Sequence, residues 1–152
     1  MNILKLLKKD HSTVRNLFNK FDRTGKSSHD KREELFEQLR RELQIHSRAE
    51  EEIFYPALKS LNGMESRKLV SEALSEHKQV DELLMQLSRL KPTDKNFDEK
   101  METLIENVDH HIDEEEGDIF QFAEENCSSE YLEDLGSQME ERKKIIDRLM
   151  AA

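Results

Sequence analysis

The sequence predicts an all-α fold, an up-down-up-down four-helix bundle followed by a C-terminal helix. The chain of 152 residues has only four glycines and two prolines, too few turn formers for a sandwich or barrel of many short strands. Charged residues make up 38% and hydrophobic residues 35%, a ratio typical of long helices with one exposed face. The length is that of one domain, and short breaks between long segments favour antiparallel neighbours.

The helical segments are separated by short stretches that hold glycine, proline, asparagine or serine, the residues that cap or end helices. These breaks lie at residues 23–28, 61–64 and 90–96, with a weaker one at 125–129. The segments between them run near residues 2–22, 29–60, 65–90 and 97–125, and a last one from about 130 to 150. We therefore predict a bundle over residues 1–125 and, over 126–152, a helix that packs on the bundle or on a partner.

Each of the four bundle segments carries an apolar seam, with residues at alternating steps of three and four, that faces the predicted core. Near its middle each seam is interrupted by one histidine, and in two segments a glutamate follows four residues later. These seam residues are His11, His46, Glu50, His77, His111 and Glu115. A lone histidine on an apolar face is usually a hydrogen-bonded core residue. Counted along the helices from the shared breaks, the level of Glu50 agrees with that of His77, and that of His77 with that of His111, to within about one turn. The levels of His11 and His46 differ by about 9 Å. One histidine on each of four seams nevertheless predicts that the side chains converge.

Two glutamates inside such a core favour a metal site. An ionised carboxylate there costs several kcal/mol unless it is paired or bound to metal, and two at one level repel each other. Neutral imidazoles and carboxylates suit first-row metals. Four histidines and two glutamates are too many for a closed tetrahedral zinc site, but they match two metals bridged by two carboxylates. The sequence therefore predicts a dinuclear site.

At these residues the sequence resembles the hemerythrin-like, or HHE cation-binding, family. The matching segments are DH at 10–11, HSRAEEEIFYP at 46–56, EH at 76–77 and HIDEEEGDIF at 111–120. The resemblance covers about residues 1–125 and implies a four-helix bundle that holds a non-haem di-iron centre with an oxo or hydroxo bridge. It implies that His11 and His46 ligate one iron, that His77 and His111 ligate the other, and that Glu50 and Glu115 bridge them. Spacing alone does not choose between iron and manganese; the resemblance favours iron over manganese or zinc.

The sequence departs from the oxygen-carrying hemerythrins at two places. Those proteins carry a further histidine one turn before the position of His77, where this chain has Ala73, and a His-x-x-x-x-Asp pair where it has His111 and Glu115. With one histidine fewer, two octahedral metals keep two positions for other ligands instead of one. We expect a more open centre, suited to dioxygen or peroxide chemistry or to sensing. His110 falls off the seam and is expected to be partly exposed.

Three classes of function stay open. The first is a di-iron protein that binds or reduces a small ligand such as O2, peroxide or NO. The second is an iron or oxygen sensor, or an iron buffer, without turnover, and the third is a metal-free helical interaction module.

The net charge of −10 and the lack of a basic stripe argue against a nucleic-acid partner. No apolar run approaches the roughly 20 residues of a membrane span, and no signal peptide is recognisable. A cytoplasmic protein is expected, and the last segment makes a homodimer possible.

Overall fold

The computed structural model describes residues 1–61 and 63–151, and all regular structure within them is helical. The helices are α1 (Ile3–Asp22), α2 (His29–Ala49), a π-helical turn π1 (Glu50–Phe54), α3 (Tyr55–Lys59), α4 (Met64–Ser88), α5 (Phe97–Glu114), a second π-helical turn π2 (Glu115–Ile119), α6 (Phe120–Asn126) and α7 (Ser129–Ala151). α2, π1 and α3 follow one another without a break, as do α5, π2 and α6. The described residues thus form five helical rods, which confirms the predicted all-α bundle with a C-terminal helix.

The apolar core is divided into two parts by a level of buried polar side chains. One part, here called the loop cluster, lies toward the breaks at residues 23–28 and 89–96 and includes Val14, Leu43, Val80 and Val108. The other, called the α7 cluster, includes Tyr55, Ala73 and Phe120 together with the buried face of α7. Apolar side chains on both sides exclude water from the polar level between them, so charges there are weakly screened.

The two π-helical turns shift the register of the seams. A seam at regular steps of three and four places Ile53 in the core after Glu50, but Ile53 is only partly buried and its neighbour Phe54 is completely buried. The expectation for Ile53 is wrong because a π turn inserts one extra residue into the helical repeat. The second turn has the same effect after Glu115, and it brings Ile119 into the core.

The C-terminal helix α7 packs against α1, α2 and π1 of its own chain. At Gly136, an added Cβ would lie 1.8 Å from the carbonyl oxygen of Met1, so glycine is required for the two backbones to meet there. The Arg41–Asp147 ion pair joins α7 to α2 at the surface. Over residues 1–61 and 63–151, no helix is both long and apolar enough to span a bilayer.

Candidate metal centre

The structure brings all six seam residues together in the middle of the bundle. The histidines come from four different rods, and the two glutamates come from the two rods that contain a π turn. All six are buried, and Glu50 and Glu115, here called the central glutamates, are completely buried. The six side chains thus lie together in the core, as the seams predict, and their role as metal ligands stays a prediction.

Two groups of four potential ligands lie side by side, and they share the central glutamates. His11 and His46 form one group with Glu50 and Glu115, and His77 and His111 form the other with the same two carboxylates. Within each group, one ligand atom from every residue lies within 4.8 Å of the others. This is the arrangement that two cations bridged by two carboxylates require.

Each central glutamate lies close to Nε2 of two histidines. The distances are 3.0 Å from His46 and 3.3 Å from His77 to Glu50, and 3.2 Å from His11 and 3.3 Å from His111 to Glu115. The Nε2 atoms of His77 and His111 are themselves 3.2 Å apart. Two nitrogen lone pairs at that distance repel each other, so the pair needs a proton or a cation between them.

Several of these buried atoms have no partner with hydrogen-bond geometry among the described residues. They are His11 Nε2, His46 Nε2, both carboxylate oxygens of Glu50, and Glu115 Oε1. The neighbouring atoms are near enough, but their directions do not suit hydrogen bonds. Buried polar atoms left without hydrogen bonds are costly, and lone pairs aimed at a shared point are what metal ligands provide. The donor set and its geometry therefore fit a cation-binding site.

Four further carboxylates surround the site, and each accepts a hydrogen bond from Nδ1 of one histidine. These outer carboxylates are Asp10, bonded to His46 at 2.9 Å, Glu51, bonded to His77 at 3.1 Å, Glu76, bonded to His111 at 2.7 Å, and Glu116, bonded to His11 at 2.7 Å. Because an ionised carboxylate only accepts, each Nδ1 carries the proton and each Nε2 is turned inward. A carboxylate behind a ligating histidine fixes its tautomer and ring orientation and raises its basicity.

Sequence reasoning missed the outer carboxylates, although a signal for them was present. Asp10 and Glu76 each directly precede a site histidine, and Glu51 and Glu116 each directly follow a central glutamate. A residue next to a seam position lies about 100° around the helix, which suits it to reach a neighbouring rod. The four contacts obey a two-fold pattern, since each half of the bundle repeats the order acid-His, then His-x-x-x-Glu-Glu.

Tyr55 is the other functional group at the centre, and it lies on the side of the α7 cluster. Its hydroxyl donates to Glu115 Oε2 at 2.5 Å and lies 3.3 Å from His77 Nε2. Burial and the charges of Glu115 and Glu50 raise the pKa of Tyr55 well above its usual value, so the phenol stays protonated. Tyr55 thus combines ring packing against Phe54 and His77 with a hydrogen bond to a central glutamate.

Two of the site histidines, His77 and His111, hold protons when no cation is bound. Burial lowers the pKa of both, but the close contact of each with a central glutamate and its hydrogen bond to an outer carboxylate outweigh burial and raise the pKa to about 9 for His77 and about 10 for His111. Burial alone would raise the pKa of Glu115. Its contacts with Glu50 and with the imidazoles outweigh burial and hold that pKa well below the usual value. The carboxylates therefore attract positive charge, whether protons or metal ions.

His110 lies outside the centre. Its side chain is 68% exposed, against 9% for the adjacent His111, and its Nε2 bonds Glu114 at 2.9 Å on the surface. The expectation that His110 falls off the seam is confirmed. Ala73 is buried on the α7 cluster side, in the same apolar surroundings as Tyr55.

A small cavity of about 20 Å³ adjoins the four histidines on the side of the loop cluster. Its other walls are mostly apolar and include Val14, Val80 and Val108. A space of this size holds about one water-sized molecule. Small neutral molecules fit beside the histidines, and larger organic ones do not.

Comparison with known proteins agrees with this arrangement. The family described as the hemerythrin HHE cation binding domain matches residues 2–123. The crystal structure of a hemerythrin HHE cation binding domain-containing protein, the Rv2633c homolog from Mycobacterium kansasii, superposes with a TM-score of 0.84 at 30% identity, covering 97% of this chain and 88% of that one.

Two curated relatives are longer than this chain. A protein named DNA nickase from Nostoc sp. is 30% identical over 98% of this chain, and an uncharacterised hemerythrin-like protein of Schizosaccharomyces pombe is 32% identical over 69% of it. The chain spans only 41% and 52% of their lengths. An uncharacterised protein of Mycobacterium tuberculosis is 29% identical over 93% of this chain and 85% of its own length.

Proposed function

Because the chain belongs to the hemerythrin HHE cation-binding family, we propose that it is a non-haem di-iron protein that binds or reduces dioxygen or peroxide at its His/Glu centre. The observation that carries the proposal is the sharing of Glu50 and Glu115 by two groups of four buried ligand atoms. In this proposal His11 and His46 hold one iron, and His77 and His111 hold the other. A pair of bridged iron ions supplies electrons and Lewis acidity for the reduction of oxygen species.

The residues of the chain have distinct tasks in this proposal. The outer carboxylates hold each Nδ1 proton and so keep each Nε2 lone pair directed at the centre. The Tyr55 hydroxyl donates a hydrogen bond to Glu115 Oε2 and thereby limits how strongly that oxygen binds a cation. The two apolar clusters exclude water, which strengthens electrostatic interactions within the centre.

The cavity beside the histidines supports a small ligand. Apart from the histidines its walls are mostly apolar, and it holds about one water-sized molecule. O2, peroxide and NO are all of that order of size. Because this chain has Ala73 where the oxygen-carrying hemerythrins have a further histidine, one side chain fewer would hold the metals, which would favour the binding of small ligands.

We do not propose DNA nicking for this chain, although the Nostoc relative is named DNA nickase. That protein is more than twice as long as the segment matched here. The net charge of −10 is unfavourable for binding a phosphate backbone. We therefore propose small-ligand chemistry without a nucleic-acid partner.

The test uses two adjacent histidines. His111→Ala removes a proposed ligand, whereas His110→Ala removes an exposed neighbour with the same chemistry. After anaerobic reconstitution with ferrous iron and exposure to air, the wild type and His110→Ala should show near-ultraviolet absorption of an oxo-bridged pair and consume peroxide, and His111→Ala should lose both. Iron binding without peroxide consumption would favour the sensor or buffer alternative. Equal behaviour of the two variants would contradict the proposal.

A further inference from the structure

One of the four outer carboxylates differs from the rest. Within residues 1–61 and 63–151, Asp10 alone among them is paired with a lysine or arginine. Lys143 of α7 donates from Nζ to Asp10 Oδ1 at 2.5 Å, and Asp10 Oδ2 accepts from His46 Nδ1 at 2.9 Å. The side chains of Lys143 and Asp10 are only 23% and 11% exposed, so solvent screens this pair weakly. The C-terminal helix therefore places a positive charge two hydrogen bonds from Nδ1 of a proposed ligand.

The opposite histidine pair has acidic surroundings instead. Glu76, which holds His111, shares an outer cluster with Glu114 and His110. The imidazole can contribute at most one positive charge to these two carboxylates, so the cluster stays negative.

Glu51, which holds His77, also lacks a paired lysine or arginine within residues 1–61 and 63–151. It lines a surface groove together with Asp81, Arg40 and Arg48. The two arginines form their ion pairs with other glutamates, so neither arginine pairs with the carboxylate behind His77. The two-fold pattern of the contacts is thus not matched by a two-fold pattern of charge.

This difference affects how strongly each pair binds a cation. A carboxylate that accepts from Nδ1 makes the imidazole a better donor at Nε2. An ammonium group on the same carboxylate withdraws part of that effect, and its charge also repels a cation nearby. The pair that includes His46 is therefore the weaker of the two.

We propose that Lys143 is a positioning residue that makes the two cation sites unequal, so that the site of His77 and His111 takes the first divalent cation and the site of His11 and His46 takes the second. It acts through Asp10 and does not contact the cations. The inference rests on the proposed coordination by these histidines and adds an order of loading and a role for α7.

The experiment titrates the metal-free protein with Zn²⁺ and follows the imidazole 1H–15N signals by NMR. In the wild type, the signals of His77 and His111 should change with the first equivalent and those of His11 and His46 with the second. The first site should be tighter by about tenfold, the lower end of what changes in residues behind metal ligands produce.

Three variants separate charge from structure. Lys143→Met should strengthen the second site and bring the two affinities to within about threefold. Lys143→Arg keeps the charge and should retain the wild-type order. Arg142→Met is the matched control, because it removes the neighbouring ion pair of α7 with Glu52 without touching a carboxylate that holds a histidine, and it should leave the order unchanged.

The inference is overturned if the two pairs fill together or in reverse order in the wild type. It is also overturned if Lys143→Met keeps the wild-type ratio, or if Arg142→Met changes the ratio as much. Two equivalents of Zn²⁺ bound without order would overturn this inference alone. A protein that binds no Zn²⁺ would overturn the proposed function as well.

Discussion

Glu50 and Glu115 occupy equivalent positions in the two halves of the bundle. Each is completely buried, each begins a π-helical turn, and each follows a site histidine by four residues. A π turn widens the helix locally and re-aims side chains, and such turns are frequent at functional sites. The consequence here is that two carboxylates from different rods meet at one level and belong to both ligand groups.

The metal-free protein is expected to lose stability as the pH rises. The pKa values of about 9 for His77 and about 10 for His111 lie above the ordinary 6.5, so between these values the folded protein binds more protons than the unfolded chain. The free energy of unfolding must then fall with increasing pH. The contribution is fully present below pH 6.5 and is lost as the pH passes 9 to 10. Urea unfolding of metal-free protein across this range measures it.

Binding of divalent cations should have the opposite dependence. A cation must displace the imidazole protons, so metal affinity should rise over the same pH range and binding should release protons. His111→Ala should flatten the stability profile of the metal-free protein, and His110→Ala should not. If the free energy of unfolding of the metal-free protein rises steadily with pH, the histidines do not hold the protons.

Tyr55→Phe should lower stability and leave the metal in place. The ring packs against Phe54 and His77, and phenylalanine preserves those contacts. The lost hydrogen bond ends on a buried carboxylate, and such bonds contribute about 1.5–3 kcal/mol. Denaturant unfolding of the metal-free protein and metal analysis check the two parts. Tyr131→Phe on α7 is the control, with an expected change of less than about 0.5 kcal/mol. Loss of metal from Tyr55→Phe would instead indicate that the phenol is a ligand.

Val108→Leu should obstruct the small-ligand cavity. Val108 is buried in the cavity wall, and one added methylene group has little room beside a space of about 20 Å³. The larger side chain would occupy space that the ligand needs, so azide or NO should bind the iron-loaded protein roughly tenfold or more weakly, a loss of about 1.4 kcal/mol in binding free energy. Val70→Leu adds the same group in the α7 cluster and should leave this affinity unchanged. Equal affinities in the two variants would mean that ligands bind elsewhere.

The fold and the six central residues could be predicted because both follow from periodicity. A helix that faces a core buries every third or fourth residue, so the polar interruptions of the seams identify side chains that must meet. Periodicity alone shows that His11, His46 and His77 face the core.

The outer carboxylates and Lys143 could not be predicted in the same way. Seam periodicity says which residues face the core, but Glu51 and Glu116 lie beside the seam and reach neighbouring rods. Their placement depends on the local widening of the helices at the π turns, which seam periodicity does not indicate. The contact of Lys143 with Asp10 joins residues far apart in sequence and depends on how α7 crosses the bundle at Gly136.

If the chain holds two cations that share Glu50 and Glu115, as we propose, the number of metal ions per chain is the most direct test. Elemental analysis after anaerobic ferrous reconstitution should find two irons per chain in the wild type and in Glu124→Gln, which changes an exposed carboxylate of α6. Glu115→Gln should retain fewer than one, because both sites lose a shared ligand. One iron or none in the wild type, or two in Glu115→Gln, would contradict the account.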